Sequence, residues 1–340
     1  MPPPRIQDRT QRVGKLRGLQ HLADARGLFT ICAMDHRGSL EPALRATYPD
    51  GSTYQRLVQA KLDLCEALAP HASAVLLDPI YGAGQCIAAG LLPRDTGLLV
   101  SLEETGYQEQ DGGRLTRLLP GWDARQIRRM GGTAAKLLLY FHPDEAATRD
   151  HQLDVVAEAG RGCAEEDLPF VVEPMSYVPG GGTKDSPAFA AEKPRVVAET
   201  ARILADYPLD LLKTEFPADL RYEQDEGRLV EYCRRVSAAS PVPWVVLSAG
   251  VAYEDFRRQV ELACRGGASG FLGGRAIWQE AFQQGGREAA RRFLRTTAAA
   301  RLEELAEIAA RHGRPWHQVH RDRYPEVESF SEDWPAAYHP

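Results

Sequence analysis

Eight short runs of apolar and β-branched residues recur along the chain. They are LFTICAMD (28–35), SAVLLDP (73–79), TGLLVSLE (96–103), AAKLLLYF (134–141), PFVVEP (169–174), LDLLKTE (209–215), PWVVLSAG (243–250) and SGFLGG (269–274). Each is too short for a buried helix, and most are bounded by Gly, Pro or Asp. Amphipathic stretches lie between them. TYQRLVQAKLDLCEALAP sets Leu57, Lys61, Leu64 and Leu68 along one side. KPRVVAETARILADY places Pro194 near a helix start. YEDFRRQVELACRGG runs out on Gly266 and Gly267, as helices often do. Strand and helix in alternation argue for a parallel sheet. Eight such units in 340 residues argue for a closed (β/α)8 TIM barrel over an open doubly wound sheet.

No repeat or low-complexity linker divides the chain, so a single domain is expected. Its parts are an N-terminal extension to residue 27, with a helix over 9–27, a barrel over 28–313 and a tail over 314–340. The tail is rich in Pro, His and aromatic residues and lacks periodicity, so it is expected to wrap the surface or pack at a subunit interface. Its Tyr338 is read as a surface residue rather than one that reaches a site. The formal net charge of −6, with both signs interspersed, carries no nucleic-acid footprint. None of the six cysteines forms a CxxC pair, which argues against a structural zinc site or a disulfide scaffold. The start, MPPPRIQDRTQ, has no apolar targeting core, and no run is long enough to span a bilayer. A cytoplasmic protein without membrane contact is expected.

The polar residues stand where such a barrel keeps its chemistry, at the C-terminal ends of the strands. Asp35, Asp78, Glu103, Glu173, Lys213, Ser248 and Arg275 end their runs, whereas Lys136 opens its run and faces inward only if the alternation holds. Asp78, before Pro79, reads as structural, and Glu103 is open between structure and function. Two lysines and two carboxylates facing one cavity are costly to bury, and perturbed groups of this sort concentrate at functional sites. A neutral amine can attack a carbonyl to form a Schiff base. Free lysine, with a pKa of about 10.4, is almost never neutral at pH 7. Apolar surroundings and a neighbouring cation lower that value. Leu211, Leu212 and Phe216 flank Lys213, and Lys136, two strands away, can supply the cation. Glu173, on the strand between, can shuttle protons. GGR after the eighth run offers backbone N–H groups and a forked cation to an anion.

AMDHRGSL, KLLLYFHPD, VVEPMSY, LLKTEFP, VVLSAGV and GFLGGRAIW resemble, in order, the motifs of the tagatose-bisphosphate aldolase family of class I aldolases, over about residues 12–316. The resemblance implies a (β/α)8 barrel with no metal and no cofactor. It implies cleavage of a ketose 1,6-bisphosphate to dihydroxyacetone phosphate and glyceraldehyde 3-phosphate. It makes Lys213 the Schiff-base residue, Glu173 the acid/base, and Lys136 and Asp35 its helpers. Ser248, Gly250, Gly274 and Arg275 would hold a phosphate, with His36 and Arg37 also at the substrate. A small sugar phosphate as partner and a homo-oligomer are expected. DHRG departs from the family, which more usually has glutamine at the second position, so His36 bears on which sugar is taken. A 6-deoxy-6-sulfofructose 1-phosphate aldolase is the nearest rival. A non-catalytic sugar-phosphate-binding barrel and a metal enzyme using His71 or His142 are the alternatives from other classes. The loop YVPGGGTKDSP (177–187) reads equally as a lid or a tolerated insertion.

Overall fold

The structure, a computed structural model, describes residues 13–323 and 332–338. Ten strands follow in chain order: β1 (Phe29–Ala33), β2 (Ala74–Leu77), β3 (Gly97–Ser101), β4 (Gln108–Gln110), β5 (Gly113–Leu115), β6 (Ala134–Tyr140), β7 (Phe170–Met175), β8 (Leu211–Glu215), β9 (Trp244–Leu247) and β10 (Gly270–Gly273). All but β4 and β5 close into a parallel barrel in chain order, with β1 pairing both β2 and β10. Each of the eight expected runs supplies one barrel strand, and helices on the outside cover them. Among the described residues no helix is long and apolar enough to cross a membrane.

A strand sends alternate side chains to opposite faces. Phe29, Ile31, Leu76, Leu99, Val171, Leu211, Val245 and Leu272 form an apolar floor inside the barrel. Two residues further along the same faces come Ser101, Lys136, Glu173 and Lys213. One alternation therefore makes both the dry floor and the charged layer above it. Lys136 is in register with Ser101 and Val171, and Leu138 with Glu173. Lys136 faces inward although it opens its apolar run.

The lower end of the barrel is sealed from both ends of the chain. Helix Val13–Leu22 buries Leu19 and Leu22 against the floor. Its Gly14 N–H donates to Asp167 at 2.6 Å, and Lys15 pairs with Asp210 at 2.7 Å. This helix is shorter than expected, because Asp24 turns the chain by accepting the N–H of Leu28; residues 9–12 lie outside the described part. Trp316 joins the floor cluster and donates its backbone N–H to Gly27 at 2.9 Å. Tyr338 donates to Asp167, on the turn before β7, at the end of the barrel opposite Glu173.

Two local features differ from expectation. Pro194 does not start its helix. The helix runs Pro187–Leu204, with Ser186 accepting the N–H of Phe189 at 3.2 Å, so Pro194 lies inside it. An early Ser-Pro cap outweighs the one backbone donor that Pro194 lacks. The hairpin β4–β5 was also not foreseen, although its turn has a sequence signature. Asp111 and Gly112 both have positive φ (51° and 80°), the two-residue turn that an Asp-Gly pair favours.

Lys15 lies outside the site, so its role can be tested separately. Asp210 also accepts the N–H of Phe170 at 2.9 Å and stays buried when the ammonium is removed. Lys15→Met is expected to lower stability by ~3 kcal/mol, read as a shifted urea midpoint, with kcat unchanged.

Candidate active site

Five charged side chains meet over the apolar floor. Glu173 bridges two amines, with Oε1 2.8 Å from Nζ of Lys213 and Oε2 2.8 Å from Nζ of Lys136. Lys136 is fully buried and also donates to Asp35 at 2.9 Å and Glu103 at 2.8 Å. Glu103 holds its place by accepting the N–H of Leu138 at 3.0 Å. The two lysines are therefore unlike. Burial alone would lower the Lys136 pKa, but Asp35, Glu103 and Glu173 outweigh it and raise it well above the usual value. Lys136 is a fixed cation. Lys213 touches only one of those carboxylates, Glu173. Asp35 is held below the usual carboxylate range: burial opposes this, and Lys136, Lys213 and His36 together overcome it. Oε2 of Glu173 touches Lys136 without an aligned hydrogen bond, which leaves it able to accept one more.

Beside this cluster opens a cavity of about 310 Å³ lined by Asp35, His36, Arg37, Ser248, Gly250 and Arg275, among others. Gly274 donates its N–H to Oγ of Ser248 at 3.4 Å. Arg275 lies against Gly250, where a Cβ would stand 3.1 Å from Nη2, and Gly250 has φ 78°. Gly250 thus supplies both the turn and the room for the guanidinium. Ala249 beside it is held at φ 47°, a strained position of a kind that gathers at binding sites. Nε of Arg275 is buried without a partner, and among the described residues no carboxylate pairs with this arginine. A half-buried guanidinium left so is ready for an anion.

A second such arginine lies on the β3 side. Arg37 is buried and donates to Thr105 Oγ1 at 3.1 Å, Ser101 Oγ at 3.0 Å and the Glu103 carbonyl at 2.7 Å, all neutral acceptors. Between the two arginines, His36 packs edge-on against Trp278 at 5.4 Å. Its pKa is pushed down to about 3, chiefly by burial and then by Arg275, Lys61 and Lys213, against the pull of Asp35. The ring is neutral at working pH, and its Nδ1 is buried without a partner.

The structure thus places Lys213, Glu173, Lys136, Asp35, Ser248, Gly250, Gly274, Arg275, His36 and Arg37 around one site. Asp78 stays out of the cavity, as its structural reading required. Glu103, left open from sequence, is the third carboxylate on Lys136, and Lys61 was passed over as a helix-face residue. His71 pairs with Glu303, and His142 packs against Tyr177; neither lines the cavity. The 177–187 loop is tied down through Lys184, which donates to the buried Glu215, whose Oε2 also accepts the N–H of Ser176 at 2.8 Å.

A family model described as DeoC/LacD family aldolase matches residues 29–280. The chain belongs to this aldolase family. The tagatose 1,6-diphosphate aldolase of Staphylococcus aureus (strain MSSA476) is 32% identical, over 89% of this chain and 98% of that one. A Schiff base forming fructose-1,6-bisphosphate aldolase shares the fold at TM-score 0.56 and 19% identity, covering 84% of this chain and 98% of its own. The fructose-bisphosphate aldolase of Plasmodium falciparum does so at TM-score 0.69 and 17% identity, covering 92% and 99%. This aldolase is therefore a lyase that breaks carbon–carbon bonds.

Two outcomes follow from the geometry. Glu173→Gln is expected to lower turnover by about 10²–10⁴, with a smaller effect on KM, in a steady-state cleavage assay. Arg275→Ala should weaken a substrate phosphorylated beside its carbonyl by roughly ten- to a hundredfold in kcat/KM, the loss of one charge-assisted bond. An unphosphorylated ketose should change far less. Equal losses on both substrates would remove Arg275 from phosphate recognition.

Proposed function

We propose that this aldolase cleaves a ketose 1,6-bisphosphate, tagatose 1,6-bisphosphate first among them, to dihydroxyacetone phosphate and glyceraldehyde 3-phosphate through a Schiff base on Lys213. The observation that carries the reading is the unequal pair of amines on Glu173. Lys136 is held charged by three carboxylates, and Lys213 by one. Glu173 takes the Lys213 proton, and the free amine attacks the C2 carbonyl. Glu173 returns a proton to the carbinolamine hydroxyl, which leaves as water, and an iminium ion remains. Glu173, again a carboxylate, takes the proton of the C4 hydroxyl as the C3–C4 bond breaks. The bond's electrons pass to the iminium nitrogen as an enamine, and glyceraldehyde 3-phosphate departs. Protonation at C3 and addition of water release dihydroxyacetone phosphate and restore Lys213. Lys136 remains a cation and, with Asp35, orients the sugar hydroxyls.

Arg275 and Ser248 take the C1 phosphate in this reading, and Arg37 takes the anion at C6. The choice of tagatose follows the named relatives. The neutral His36, in place of the more usual glutamine, faces the hydroxyls that distinguish the sugars. Arg37, with three neutral partners, suits a sulfonate as well as a phosphate. The sulfofructose 1-phosphate reading therefore stands second.

Borohydride added with dihydroxyacetone phosphate should inactivate the enzyme and leave the reduced adduct on Lys213, located by peptide mass mapping. An adduct on Lys136, with Lys213→Met still active, would overturn the assignment. Cleavage of tagatose and fructose 1,6-bisphosphates and of the sulfosugar phosphate, with both products identified, ranks the substrates.

A further inference from the structure

Lys61 sits on the apolar face of helix Thr53–Leu68, and its side chain is fully buried. An ammonium in that position must replace its lost water with good acceptors. It donates to the carbonyl of Met34 and, at 2.5 Å, to the carbonyl of His36. It also lies 3.1 Å from Oδ2 of Asp78. Asp78 is anchored in turn, because its Oδ1 accepts the N–H groups of Ile80 at 3.0 Å and Tyr81 at 2.7 Å. The two carbonyls that Lys61 grips flank one residue, Asp35.

Residues 34–37 follow β1 without regular structure, so no sheet or helix ladder sets their backbone. They nonetheless carry three cavity residues, Asp35, His36 and Arg37. Met34 N–H bonds the Leu76 carbonyl at 2.8 Å, which fixes the start of the segment. One cation bound to the carbonyls at 34 and 36 closes a ring around Asp35 and limits the dihedrals on both sides of it. From the other side, Lys136 draws the Asp35 carboxylate at 2.9 Å. Two lysines thus hold one aspartate, one by its side chain and one by the backbone around it.

We propose that Lys61 is a positioning residue of the active site, which acts through the Met34 and His36 carbonyls to set where the Asp35 carboxylate stands. This rests on the reading of Asp35 as part of the reacting centre. Misplacing such a group by about 1 Å can cost ~10²-fold in rate.

The test uses Lys61→Met with Asp78→Asn, so that no uncompensated carboxylate stays buried. Folding is read by thermal melting, and Lys213 competence by borohydride trapping with dihydroxyacetone phosphate. Trapping is expected to persist, KM to stay within about threefold, and kcat to fall by roughly a hundredfold. In an Asp35→Asn background the same pair should cost less than about twofold, because residues that act through one another are not additive. Lys61→Gln with Asp78→Asn keeps an amide donor for one carbonyl. It should recover about tenfold of the lost kcat, and it serves as the second variant where the methionine pair does not fold. Turnover near wild type in either folded variant, or a full loss repeated in the Asp35→Asn background, would overturn the proposal. Failure to trap Lys213 in the wild-type enzyme would instead overturn the Schiff-base reading.

Discussion

A single carboxylate between two buried amines governs the upper half of this barrel. Glu173 touches Lys136 with one oxygen and Lys213 with the other, each at 2.8 Å. For Lys213 it is the one ion-pair partner among the described residues, and an unpaired buried charge costs several kcal/mol or more. The surrounding carboxylates break the symmetry of the arrangement. Asp35 and Glu103 are both committed to Lys136, and Lys213 is left with Glu173 alone. The two lysines thus differ in how many acidic groups surround each, rather than in burial, which both share.

The apolar floor has an electrostatic role as well as a packing one. Beneath the charged layer lie Leu99, Val171, Leu211 and Val245, and helix Val13–Leu22 with Trp316 closes the space below them. Charge–charge attraction is strong there because water is kept away from one side. The cavity mouth on the other side admits solvent and substrate. The site lies on the border between these two environments.

Much of this was legible in the sequence, for reasons that differ between residues. The eight strands announced themselves because parallel barrel strands are buried on both faces and read as short unbroken apolar runs. Lys213 and Glu173 stood out because a charge at the end of such a run is anomalous. Lys136 needed the period-two alternation, since it precedes the apolar stretch of its own strand. Glu103 was undecidable because its partner is set by the pairing of β3 with β6, which no local pattern records. Lys61 was hidden differently. A lysine at an apolar helix position usually carries its charge out to water along its stem, and it takes Asp78 together with the turn of the 34–37 backbone to give its ammonium an inward destination. The β4–β5 hairpin and the position of Pro194 were missed although their turn and cap residues are conventional.

The contact between Lys61 and the 34–37 segment is made to backbone oxygens, which every residue type carries. The identity of the side chain at position 36 is therefore invisible to it. A glutamine there would present the same carbonyl to the same ammonium as the histidine does. The fold thereby separates two tasks that share adjacent residues. A substitution at 36 changes the side chain that lines the cavity, while the backbone contact that holds the segment around Asp35 remains available to the new residue.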